Sequence, residues 1–376
     1  MNKYGKIAII PDSFKGTMTA AEVCDTLRAA FAAALPGADI VGIPAADGGE
    51  GTVDAFLYAA GGQRIFADTE NALGEPIRAA YGILPDGTAV IETAAASGLP
   101  QVEGRNDPLA ADTFGTGRLL LDALDKGCRR VILGLGGSAT TDLGTGALRA
   151  LGVRFRDEAG RIVPRGGDLK RIARVDDSGL DSRLAGVTVT LACDVDNPLC
   201  GNRGTARVFA RQKGADDAQI EALEAGICHL AGVIKEQYGV DLAAVPGAGA
   251  AGGLGAGLSV FADVRRKSGI DAVLDACGFD GKIAGCGLVV TGEGRFDGQS
   301  LAGKVPVGVA ARARRYGIPV IVIAGDVTAD AKTVTACGIT AAFSSNRRAV
   351  PFETARLTCR ADLYETAFAV ASLLSL

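Results

Sequence analysis

The sequence predicts an α/β protein of two domains with largely parallel sheets. Apolar, β-rich runs recur at 6–10, 39–44, 89–93, 130–136, 187–192, 287–292 and 319–325. Near-continuous apolar strands belong to parallel sheets covered on both faces. Helical patterns separate several of these runs, and a chain of 376 residues is long enough for two cores.

In chain order, KIAII leads through PDSFKGT into TAAEVCDTLRAAFAAAL, where Thr19 and Glu22 have the spacing of a capping box. VGIPA is followed by ADGGEGT. TGRLLLDALDKG ends at Gly127, placed as a C′ glycine. VILGL leads into GGSATTD, VTLA into CDVDNPLCG and LVVT into GEGRFDGQ. AQIEALEAGICHLAGVIKEQY and VPVGVAARARRYG read as helices. Turns after five strands are therefore rich in Gly, Asp, Ser/Thr or Lys. Ligands of open α/β sheets bind beyond the carboxyl ends of the strands, so these turns predict one polar cleft built from distant parts of the chain.

Composition narrows the function. Hydrophobic residues make up 48% and charged residues 22%, as in an ordinary globular enzyme. A net charge of −4, no basic tract and no Trp argue against nucleic acid. The uncharged stretch from Leu242 to Ala262 holds six glycines and Pro246, which argues against a membrane helix. MNKYGKIAII runs straight into a strand without a cleavage site, so no signal peptide is expected. Nine cysteines without a CxxC pair suggest reduced thiols and a cytoplasmic protein. Cys193 and Cys200, flanking an acidic loop, read as packing residues. With His229 the single histidine, a His-based zinc site is nearly excluded and acid–base work falls to carboxylates or lysines.

Two familiar patterns are near matches. Gly298 to Lys304 reads G-QSLA-GK, but Val305 stands where a P-loop needs Ser or Thr for Mg²⁺. Gly134, Gly136 and Ala139 match a dinucleotide fingerprint, with Asp157 and Glu158 about twenty residues on. Those acids sit in RDEAGR, which reads as a turn between short strands.

The loop from Leu133 to Ala147 is instead suited to an anion. Gly136 and Gly137 let the backbone approach, and Ser138, Thr140 and Thr141 add hydroxyl donors at a helix start. Asp142 would repel a phosphate unless it binds Mg²⁺, caps the helix or orients a sugar hydroxyl. Lys15, in one turn with Asp12 and Ser13, suits a phosphate or a substrate carboxylate. Gly48 and Gly49 belong to a second such turn, beside Asp47 and Glu50. Asp194, Asp196, Glu293 and Asp297 complete a set of hard carboxylates suited to Mg²⁺. Asp194 and Asp196 alternate along an extended segment, so both need not face one ligand.

PDSFKGT, ADGGEGT, ETAAASGL, FGTG, GLGGSATTDLGTG, CDVDNPLCG, QKGA, PGAGAAGGLGAGL and TGEGRFDGQSLAGKVPVGVA, in this order, resemble the class I bacterial glycerate kinases. The blocks run from residue 10 to about residue 325; Thr141-Asp142-Leu143-Gly144 departs from an expected Asn-Asp-Gly-Gly. The resemblance implies MgATP-dependent phosphorylation of D-glycerate, most often to 2-phosphoglycerate. It also implies a discontinuous Rossmann-like domain (1–80 plus 288–376), an inserted α/β domain (81–287) and an active site in the cleft between them. Phosphoryl transfer is chiefly positioning and charge stabilisation, which a His-poor chain can supply. On that logic Lys15, Arg295 and Lys304 meet anionic groups, and Asp47 and Asp194 are base or Mg²⁺ candidates. Asp194, Asp196 and Glu293 are the metal candidates. Asp12, Ser13, Gly48, Gly49 and the 136–142 loop go to phosphate or glycerate. A monomer or homodimer is expected. A nucleotide-dependent oxidoreductase using the 134–139 loop and a non-catalytic small-anion binding protein are the alternatives.

Overall fold

The computed structural model describes residues 4–298, 300 and 304–375, with the backbone alone at 166 and 244. Two main sheets contain the strands β1 (Lys6–Pro11), β2 (Asp39–Gly42), β3 (Gln63–Glu70), β4 (Pro76–Ile83), β5 (Thr88–Glu92), β6 (Arg130–Gly134), β7 (Thr188–Ala192), β8 (Asp263–Lys267), β9 (Leu288–Gly292), β10 (Val320–Ala324) and β11 (Ala341–Ser344). The chain divides into two compact units, one of Met1–Asp47, Asp54–Gly61 and Ser268–Leu376, the other of Gly48–Val53 and Gly62–Lys267.

The first unit is doubly wound. Its five strands run parallel in the order β11-β10-β9-β1-β2. Alternate residues feed two cores. Ile7, Ile9, Val290 and Ile323 pack with Leu27 and Phe31 of helix Ala20–Ala34 and Leu363 of helix Phe352–Leu374. Ala8, Ile10, Val289 and Val322 pack on the other face with Leu274, Phe279 and Val309. Burial on both faces explains why these strands are unbroken apolar runs. The capping box is present: the Thr19 side chain accepts from Glu22 N–H at 3.2 Å, and Glu22 accepts from Thr19 N–H at 2.9 Å. The strand order reverses between β1 and β9, the switch point at which α/β sheets bind ligands.

The second unit holds the six-stranded sheet, ordered β8-β7-β6-β5-β4-β3, with β5 to β8 parallel and β3–β4–β5 antiparallel. Its core includes Leu119, Leu133, Leu148, Val189, Ile227 and Leu254.

The unit boundaries differ from the expected junctions near 80 and 287. The hairpin β3–β4 hydrogen-bonds onto β5, which assigns residues 63–83 to the second unit. Ile270 and Leu274, of helix Gly269–Ala276, and Phe279 bury their side chains in the first unit's core, so residues from Ser268 belong there. The first departure follows from strand pairing and the second from where apolar side chains find partners.

Candidate active site

At the carboxyl ends of β1 and β9, the first unit opens a cavity of about 590 Å³. It is lined by Asp12, Lys15, Asp47, Glu293, Arg295 and Lys304, among others. Asp12 N–H donates to Gly292 O at 2.8 Å, locking the two strand ends together. The Asp12 carboxyl is buried and accepts from Ser13 N–H at 2.6 Å. Burial, and then the neighbouring Asp47 and Glu293, push its pKa up to about 7 against the pull of Ser13 N–H and Lys15. Glu293 is only 4% exposed and burial raises its pKa too. Its Oε2 lies 3.9 Å from Lys304 Nζ, and its buried Oε1 has no hydrogen-bond partner among the described residues. Lys15 Nζ stands 3.7 Å from Asp47 Oδ2 with its side chain 75% exposed, and Arg295 Nε lies 3.4 Å from Asp326 Oδ2. Lys304 caps helix Val305–Arg314, whose early Pro306 suits the first turn. The rest of the G-QSLA-GK stretch includes 299 and 301–303, which lie outside the described residues.

The second unit presents the glycine and hydroxyl loop after β6. Asp142 is fully buried as a brace within it. Its Oδ2 accepts from Thr113 N–H (3.0 Å), Thr113 Oγ1 (2.8 Å) and Gly146 N–H (2.9 Å), and its Oδ1 accepts from Gly144 N–H (3.2 Å). Of the roles open to Asp142, the structure displays the capping one. Lys213 of the QKGA block, assigned no role above, is buried behind the loop. Its Nζ donates to Ser138 Oγ at 3.1 Å and Thr140 O at 2.5 Å. Burial lowers its pKa to about 8, opposed by Asp142. The Thr140 and Thr141 hydroxyls are buried with no partner among the described residues.

Several glycines serve close approach. Gly136 N–H donates to Gly48 O at 3.1 Å, and a Cβ at Gly136 would stand 2.5 Å from Gly49 Cα. A Cβ at Gly48, where φ is +90°, would meet Ala192 O at 2.4 Å. Gly49 O accepts from Thr52 Oγ1 at 2.6 Å, and Gly137 O from Leu99 N–H at 2.9 Å. Within the Gly247-to-Gly257 repeat, Gly252 and Gly257 pack closely on the backbone of the same loop, with Leu143 N–H donating to Gly252 O at 2.9 Å. Asp157 accepts from Ala159 N–H and Arg161 N–H and is committed to its own turn. The sole histidine binds Ile172 O at 2.8 Å through His229 Nε2.

Of the metal candidates, Asp196 pairs with Arg266. Asp194 lies in the second unit and Glu293 in the first. Asp47 and Glu293 both raise the Asp12 pKa, and Asp297 and Asp47 raise that of Glu293. Asp12 lacked a metal role in the sequence reading because its neighbours, at 47 and 293, are distant in the chain.

The family model described as the glycerate kinase family matches residues 7–375. The chain belongs to the glycerate kinase family. It is 47% identical over 342 residues to a glycerate 2-kinase of Escherichia coli K12, covering 90% of each chain. It is 46% identical over 353 residues to a glycerate kinase of Bacillus subtilis 168, covering 93% of this chain and 92% of that one. A crystal structure from Salmonella typhimurium LT2 bearing the name glycerate kinase 2 matches with a TM-score of 0.88 at 42% identity, covering 99% of this chain and 98% of that one. For a glycerate kinase family member, a switch-point cavity with carboxylates and lysines interleaved has the charge pattern that phosphoryl transfer requires. No helix among the described residues is long and apolar enough to cross a membrane.

Proposed function

We propose that the protein transfers the γ-phosphoryl group of ATP to D-glycerate, at the 2-hydroxyl in preference to the 3-hydroxyl. The observation that carries this reading is the convergence of Asp12, Asp47 and Glu293 with Lys15 and Lys304 on one cavity at the β1/β9 switch point. Mg²⁺ fits this donor set: the ligands are hard oxygens, and a buried carboxylate oxygen of Glu293 has no hydrogen-bond partner among the described residues. Asp47 and Glu293 would hold it, and when bound it neutralises charge on the phosphates. Lys15 and Lys304 orient phosphate oxygens, and Arg295 takes a further anionic group. Asp12, with a pKa near neutrality, accepts the proton of the attacking hydroxyl. The Ser138–Thr141 stretch, backed by Lys213, offers donors suited to an anion. The nine free cysteines fit work in the reducing cytoplasm.

A coupled ADP-release assay with D-glycerate and MgATP tests the reading. Glycerate-dependent ADP production is expected, and none above background from folded protein would overturn it. The phosphorus NMR spectrum of the product then separates the 2-phosphate from the 3-phosphate.

A further inference from the structure

Cys200, Glu224 and Cys228 each place a ligand atom within 4.8 Å of the others, and they are the one such group of three His, Cys, Asp or Glu among the described residues. Glu224 and Cys228 lie one turn apart on helix Asp217–Tyr238, so both leave the same face. Cys200 comes to them from the loop after β7. Cys228 Sγ is 3.7 Å from Glu224 Oε1. Tetrahedral zinc, with Zn–S of about 2.3 Å and Zn–O of about 2.1 Å, sets such ligands roughly 3.6 Å apart.

A second observation concerns the carboxylate. Glu224 is only 7% exposed. Its Oε1 accepts from Gly201 N–H at 2.6 Å, which fixes its orientation. Its buried Oε2 has no hydrogen-bond partner among the described residues. A buried carboxylate oxygen in that condition is costly, and a cation beside it removes the cost.

We propose that Cys200, Glu224 and Cys228 form a Zn²⁺ site, with the fourth position open to water. Two sulfur ligands select a thiophilic ion over Mg²⁺ or Ca²⁺. Cys228 is exposed and provides the entry path. Burial raises the pKa of both thiols, so uptake of the metal releases their protons. Occupancy ties the loop carrying Asp194 and Asp196 to the helix. This site is independent of the phosphoryl-transfer reading, and the sequence alone had assigned Cys200 only to packing.

The test uses the full chain, reduced with a phosphine, stripped with a chelator and titrated with Co²⁺ as a spectroscopic probe. One equivalent is expected, with sulfur-to-cobalt charge-transfer absorption that Zn²⁺ abolishes. Cys200→Ser and Cys228→Ser should each lose at least about half of that absorption and bind cobalt more weakly, Glu224→Gln should weaken affinity at least about tenfold, and Cys359→Ser should match wild type. Should a serine variant fail to fold, Zn²⁺ protection of Cys228 from alkylation in the wild-type chain reads the same site. No stoichiometric uptake, no protection, or undiminished cobalt absorption in a folded Cys200→Ser variant would overturn the proposal. So would a Cys200–Cys228 disulfide in a chain that binds no metal when reduced.

Discussion

At the end of β1 the first unit gathers Asp12, Asp47 and Glu293, with burial and like charge pushing the Asp12 and Glu293 pKa values up. After β6 the second unit buries Asp142 as deeply, yet four hydrogen bonds from Thr113, Gly144 and Gly146 surround it. Both regions are glycine-rich loops beyond strand ends, each with an aspartate and a lysine. They differ in how many donors of the fold reach the carboxylate and in the like charges beside it. Four hydrogen bonds make Asp142 a brace of its loop. Asp12 accepts from Ser13 N–H but also faces Asp47 and Glu293, a like-charge cluster that a bound cation relieves.

The sharpest way to break this comparison is Asp12→Asn. Loss of the proton acceptor should lower kcat by about 10²- to 10⁴-fold in the ADP-release assay. Stability should move the opposite way. The Asp12 pKa is about 7 in the folded protein against an ordinary 3.8, so the folded state holds the proton more tightly. The stability it contributes is complete below about pH 4 and is lost as pH rises through about 7. The Asn variant, unable to ionise, should out-melt the ligand-free wild type by a margin that widens across that window. A margin independent of pH would refute the linkage.

Lys15→Ala should lower kcat/KM at least about a hundredfold, roughly 2.7 kcal/mol. Its melting temperature should stay close to wild type, because an exposed ion pair contributes at most about 1 kcal/mol. Undiminished activity would return Lys15 to the role of a solvated partner of Asp47.

A Mg²⁺ titration of Asp194→Asn addresses the carboxylate that the sequence reading placed at the metal. A higher Mg²⁺ requirement at unchanged maximal rate supports a metal role, direct or through water. A lower rate at saturating Mg²⁺ supports a base. Given Asp12, Asp47 and Glu293 in the first unit, we expect a shift of less than about tenfold in the Mg²⁺ requirement, a modest loss for a metal site's supporting residue. A full-size base effect here would transfer the proton-accepting role from Asp12.

The smallest effect concerns rigidity in the second unit. Leu143 has φ of 52° at a position where the resemblance had suggested glycine, and its side chain is 1% exposed. Leu143→Gly should relieve about 1–2 kcal/mol of backbone strain and forfeit about 2–5 kcal/mol of buried contact. The net expectation is a loss of about 1–3 kcal/mol in denaturant unfolding. A stabilised variant would show that strain dominates this loop.

Legibility followed burial. β1, β9 and β10 are buried on nearly every residue and were readable as apolar runs. β3 alternates partly buried and exposed residues, and β8 is a charged edge strand, DVRRK, so neither stood out. The domain junctions moved because the β3–β4 hairpin is specified by pairing with β5, a contact no local pattern contains. At the site, Lys15, Asp47 and Glu293 were singled out by residue type at strand ends, and Lys304 by the family resemblance. Lys213 was not, although QKGA was visible as a block, because its importance lies in the depth at which it meets Ser138.

What the sequence by itself determined is the alternation of elements, the chemistry at the strand ends and membership of the family. These are properties of local periodicity and of ordered motifs, which one strand of text carries in full. Only the tertiary structure decided which carboxylates are gathered on one cavity. The energy of a buried charge depends on the donors and charges within a few ångströms of it, and those come from residues far apart in the chain. Asp142 found four hydrogen bonds, whereas Asp12 found Asp47 and Glu293.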